Sequence, residues 1–188
     1  LSYAVNFYSI GIIAHIQELC IRAISALFLS ISQVAFYSQG EGAGRLLSKI
    51  PEPLTTILYP RISRLEKASQ AIDLSCRAFR VTLLILIFIG IVLSFIAKPL
   101  VVLLYGIDFE PSALVLVIAI PGVVIGASSL TLKTFFEGSG QASIIPKVQT
   151  IPVILQIGLA YFLISLYGLI GASISFSVGS SLYGLAVL

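Results

Sequence analysis

Residues 81–97 read VTLLILIFIGIVLSFIA, an apolar run without one charged side chain. At about 1.5 Å of rise per residue it reaches most of the way across a ~30 Å hydrocarbon core. Every backbone N–H and C=O in such a run needs an internal partner, and a helix supplies them all. The run is not isolated, since no charge occurs after Lys147. Mean hydropathy is +1.09 and only 10% of residues are charged, against about 25% in soluble domains. A membrane barrel requires short alternating segments, and these runs are continuous. The chain is expected to be an all-α, polytopic transmembrane helical bundle.

A second feature orients that bundle. Tyr59 to Arg80 (YPRISRLEKASQAIDLSCRAFR) holds Arg61, Arg64, Lys67, Arg77 and Arg80, opposed by Glu66 and Asp73. Basic residues concentrate on the cytoplasmic side of membrane helices. Residues 61–80 therefore read as a cytoplasmic loop, with a short surface helix in its middle. Six spans follow, at about 12–37, 41–62, 81–105, 113–136, 148–166 and 172–188. Residues 1–10 read as the end of a preceding span, with a polar turn at Gly11. Pro99 gives a long or kinked third span. The turn at Asp108 and the Tyr167 turn then lie outside, and the C-terminus lies inside. The chain lacks an initiator Met and a signal-peptide pattern, and reads as a piece of a longer protein. Cys20 and Cys76 are far apart and read as free thiols.

The informative side chains are charges within the first two spans. Glu18 and Arg22 are four apart and can pair on one helix face. Arg45 and Lys49 have the same spacing with like charge, which is unfavourable on a helix. Two readings stand for this pair. Either it lines a water-filled site that receives an anion, or it lies near the interface and snorkels to headgroups. For Glu18 and Arg22 the alternative is a structural ion pair. Spans three, five and six are almost uniformly apolar, so spans one and two are expected to line an aqueous, cationic cavity. Such a cavity suits an anionic group such as a phosphate or pyrophosphate headgroup. His15 is alone and caps or lines the start of helix one. Lys133 and Glu137 read as a structural pair, and Pro51, Pro53 and Pro121 as kinks or hinges. No catalytic constellation, metal-ligand spacing or nucleotide loop is present in the sequence, and GEGAG lacks the Lys and strand of a phosphate loop. No enzyme activity, cofactor or nucleic-acid partner is expected.

Six stretches occur in a telling order: GIIAHI (11–16), VAFYS (34–38), LYPRISRL (58–65), LLYGIDFEPSA (103–113), EGSGQASIIPK (137–147) and YGLIGASIS (167–175). Together they resemble the C-terminal half of Wzx-type O-antigen and polysaccharide flippases of the multidrug/oligosaccharidyl-lipid/polysaccharide exporter superfamily. The resemblance implies a MATE-like pair of six-helix bundles, of which this chain supplies the second. It implies alternating-access transport of a polyprenyl-pyrophosphate-linked oligosaccharide across the inner membrane. Arg22, Arg45 and Lys49, with Glu18 beside them, are then the candidate substrate-binding residues of the cavity. Membrane lipid and the N-terminal bundle are the expected partners. The alternatives are a cation-coupled multidrug exporter of the same superfamily, which would favour acidic cavity residues, and a non-transporting scaffold. A ligase or polymerase would need a large outside loop, and the expected outside loops are short.

Overall fold

The computed structural model describes residues 2–65, 67–141 and 143–187, the side chains from Gly11 onward. It is all helix, with no strand among the described residues. Among the described residues the α-helices are α1 (Ser2–Phe28), α2 (Ile31–Arg45), α3 (Glu52–Ile62), α4 (Ala68–Tyr105), α5 (Pro111–Ser128), α6 (Leu130–Gly138) and α7 (Ile144–Ala186). A 3-10 turn at Leu46–Lys49 joins α2 to α3, and another at Ile107–Phe109 precedes α5. Among the described residues, four stretches are long and apolar enough to cross a membrane: Gly11–Phe28, Ala68–Tyr105, Pro111–Gly138 and Ile144–Ala186. The protein is a multi-pass helical membrane protein.

The passes are set by where helices break. Gly168 takes φ 56 and ψ −127 inside α7, a conformation open in practice only to glycine. The two limbs fold back on each other there. A Cβ on Gly171 would overlap the carbonyl of Leu163, and one on Gly179 would overlap the Gln156 side chain. α7 is therefore a hairpin of two passes. α2, its 3-10 turn and α3 run on as one broken rod beside α5 and α6. Gly40 lies against Ser112 and Val115, Gly44 against Ala119, and Gly138 against Ile62.

α5 is the centre. Val115, Leu116, Ala119, Ile120, Val123 and Ala127 are all buried, which is the behaviour of a helix that is apolar all round. Small residues let its neighbours approach closely. Gly122 and Gly126 abut the backbone of Ser177 and Ser180 on the second limb of α7, and Gly122 N–H donates to Ser177 Oγ at 3.1 Å. On the outside, Leu84, Phe88, Phe95 and Leu103 of α4 are 68%, 69%, 84% and 83% exposed. A file of exposed aliphatic and aromatic side chains on one helix marks a face that meets lipid or another protein rather than water.

Several expected boundaries move. α1 runs unbroken through Gly11, so the turn expected there, after residues 1–10, is absent; one glycine costs a helix only ~1 kcal/mol. The first expected span, 12–37, is instead cut at Leu29 and Ser30. Ser30 Oγ accepts from Gln33 N–H while Gln33 Oε1 accepts from Ser30 N–H, a capping box that starts a new helix. GEGAG, expected to open the second span, lies inside α2. The break comes where Pro51 and Pro53 remove backbone donors. The expected loop at 61–80 is mostly helix: only 63–67 separate α3 from α4. Residues 68–80 contain no Gly or Pro, so α4 begins there and continues through Pro99 for about 57 Å. The third span is thus long, and the surface helix is its first turns.

The two ends of the bundle differ in charge. Arg61, Arg64, Lys67, Arg77 and Arg80 gather at the end where α3 finishes and α4 starts. Asp108 and Glu110 sit at the other end, where Glu110 pairs with Lys98 at 2.7 Å.

Candidate functional site

A cavity of about 580 Å³ opens between α1, the α2–α3 break, α5 and both limbs of α7. Its α1 wall is Gly11, Ala14, His15, Glu18 and Ile21, spaced at three and four residues and therefore on one helix face. Gln17 enters beside them and donates from Nε2 to Gln156 Oε1 of α7. Gln149, one face-repeat earlier on the same limb, donates to Tyr183 Oη at 2.5 Å. Gln149 and Gln156 are buried, and buried amides in a membrane helix need such partners.

The break between α2 and α3 supplies the charges. Arg45 is the last residue of α2 and Lys49 the last of the 3-10 turn. Both line the cavity, with Ser48 and Glu52. The like-charge pairing expected from their spacing does not arise. The 3-10 turn changes the rotation between them, and each has its own carboxylate. Arg45 Nη2 and Nε reach Glu41 Oε1 at 2.5 and 3.0 Å, with Nη1 3.9 Å from Glu18. Its guanidinium lies 5.6 Å from the Phe176 ring centre, within cation–π range. Lys49 Nζ pairs with Glu52 at 2.7 Å.

Arg22 pairs with Glu18 at 2.6 Å, as the i,i+4 spacing predicts. It lies off the large cavity, on a second one of about 120 Å³ with Glu18, Ser25, Tyr37, Glu41 and Arg45. Glu18 and Arg45 belong to both cavities and form the partition between them. The Ser25 and Tyr37 hydroxyls are buried with no hydrogen-bond partner among the described residues.

The expectation of a net cationic cavity needs correction in this respect. Arg22, Arg45 and Lys49 are matched by Glu18, Glu41 and Glu52, so the cluster is close to neutral. Glu41 precedes Arg45 by four, a spacing that pairs them because GEGAG (40–44) stays helical within α2 rather than starting a helix. Glu52 lies three residues after Lys49, but across Pro51. Gln156 and Tyr183 come from far along the chain, and no local signal marks them. His15 lines the cavity wall, well inside α1 rather than at a helix start. Lys133 and Glu137 approach to 3.7 Å outside the cluster. Both cysteines are free.

This arrangement can bind polar or ionic cargo in an otherwise apolar bundle: two cations, two carboxylates and a ring of amides and hydroxyls face one space. Among the described residues, no three His, Cys, Asp or Glu side chains cluster as metal ligands.

Comparison with curated proteins and with solved structures finds no match. The model of one family, described as polysaccharide biosynthesis protein, matches residues 1–114, more than half of the chain and the part that carries every ion pair of the cavity. The chain therefore belongs to the polysaccharide biosynthesis protein family.

Proposed function

We propose that the protein is a flippase that moves a polyprenyl-pyrophosphate-linked oligosaccharide across the inner membrane by alternating access. The observation that carries the reading is Arg45 and Lys49 facing a cavity of about 580 Å³ inside a membrane bundle. Charged side chains in a helical membrane protein commonly face a cavity or a partner. Family membership supplies the polysaccharide context. In this reading Arg45 and Lys49 receive the pyrophosphate, and Glu18 and Arg22 hold the wall behind them. A second helical bundle faces the open side of the cavity. The end rich in Arg and Lys is cytoplasmic, by the positive-inside rule.

Proteoliposome flipping of a polyprenyl-pyrophosphoryl oligosaccharide tests this. The natural protein that carries the bundle is compared with its Arg45→Ala and Lys49→Ala variants. Both are expected to lose transport by at least about tenfold, a loss of ~1.4 kcal/mol or more, with expression unchanged. Transport that neither change affects would remove the headgroup role from these residues.

A second reading has its own support. Glu18, Glu41 and Glu52 place as much negative as positive charge around the site, which fits a cation-coupled exporter of cationic compounds. Uptake of a fluorescent organic cation that competes with no lipid-linked sugar would favour it.

A further inference from the structure

Arg45 and Lys49 are held in different ways. Glu41, the close partner of Arg45, is only 15% exposed at its side chain and does not line the large cavity. It fixes the guanidinium from behind. Glu52, the partner of Lys49, lines the cavity itself and is 52% exposed. Its carboxylate lies 2.7 Å from Lys49 Nζ, the distance at which a phosphate oxygen would bind an ammonium.

From this difference we propose that Glu52 is an exchangeable counterion that sets the affinity of Lys49 for a diphosphate group. The proposal rests on the headgroup reading above. The ammonium has three N–H donors, so a phosphate oxygen can join before the carboxylate leaves. Two anions then share one cation a few ångströms apart, and their repulsion drives Glu52 off. The displaced carboxylate is not stranded. Glu52 is in the first turn of α3, an eleven-residue helix, and a helix N-terminus stabilises negative charge. The backbone around the pair is anchored by Pro51, whose side chain is fully buried, so the exchange moves side chains rather than the fold. Binding by exchange keeps affinity low, and Glu52 returns to Lys49 when cargo leaves. A transporter gains from this, because a site that holds its cargo too tightly cannot release it on the far side.

The test measures binding to the natural protein in phosphatidylcholine nanodiscs, so that the probe is the only added anion. The probes are inorganic pyrophosphate and, separately, polyprenyl pyrophosphate placed in the disc. Glu52→Gln and Glu52→Ser are each expected to tighten both by about fivefold, the scale of one partly exposed ion pair. Glu110→Gln makes the same change in net charge at the opposite end of the bundle and is expected to leave both unchanged. If pyrophosphate binds the wild type and neither Glu52 variant binds more tightly, exchange is overturned and the headgroup reading stands. Equal tightening in Glu110→Gln would also overturn it, since the effect would be one of overall charge. If no variant binds either probe, the headgroup reading falls and takes the exchange with it.

Discussion

At the scale of single residues, the cavity is defined by how each charge is paired. Exposed ion pairs contribute ~1 kcal/mol or less, so Lys49–Glu52 does little for stability, and its place on the cavity wall is the more telling property. The second cavity is different, because it leaves two buried hydroxyls without partners among the described residues. Removing a buried group that makes no hydrogen bond is nearly neutral or stabilising, whereas removing one that does costs about 1 kcal/mol. Tyr37→Phe is therefore expected to hold or raise the melting temperature in detergent. A clear drop would mean that the hydroxyl is bonded in solution. Cations alone were a poor guide to this site from sequence. Arg22, Arg45 and Lys49 stand out in an apolar chain, but their partners decide the local field; Glu41 lies between two glycines that read as a helix start yet stay inside α2, and Glu52 lies just past the break at Pro51.

Individual elements are decided by caps and breakers more than by hydropathy. α4 is plain from its apolar run and its first turns read as a separate short helix; that the two are one continuous helix is what their polarity conceals. α7 reads as two spans because Tyr167 to Gly171 has the composition of a turn, and Gly168 makes that turn with a backbone conformation closed to other residues. Gly168→Ala is expected to destabilise the hairpin by about 1–3 kcal/mol. Gly158→Ala, in the same limb with nothing within 4 Å of an added Cβ, is expected to be neutral or stabilising, since alanine favours helix by up to ~1 kcal/mol. Thermal unfolding of the two variants side by side checks this, and equal losses would mean that Gly168 is not the hinge. The break after Phe28 was missed for a physical reason. Ser30 and Gln33 form their capping box inside a stretch apolar enough to continue as one helix.

For the whole molecule, the charge difference between its ends predicts an orientation. Single cysteines at Ser69 and Asp108, in a background with Cys20 and Cys76 replaced by Ser, report on opposite ends; both positions are exposed. In intact cells a membrane-impermeant maleimide is expected to label the Asp108→Cys variant and to spare Ser69→Cys. The reverse pattern would invert the topology and the direction assigned to the cavity. The packing order around α5 bears on the same question, because α5 separates α4, with its exposed apolar face, from the cavity walls formed by α1 and α7.

What the chain settles alone is its solvent and its class. Long uncharged runs can satisfy their backbone in lipid only as helices, a local property summed along the sequence. The close ion pairs of the cavity are local too, at three or four residues' spacing, but what faces them across the bundle is not. Gln17 finds Gln156 across the bundle, and Arg45 comes to rest over Phe176, only because glycines on α2, α5 and α7 let backbones approach to contact. The cavity is the space those close approaches leave between α1 and α7, and its shape comes from packing, which no single segment encodes.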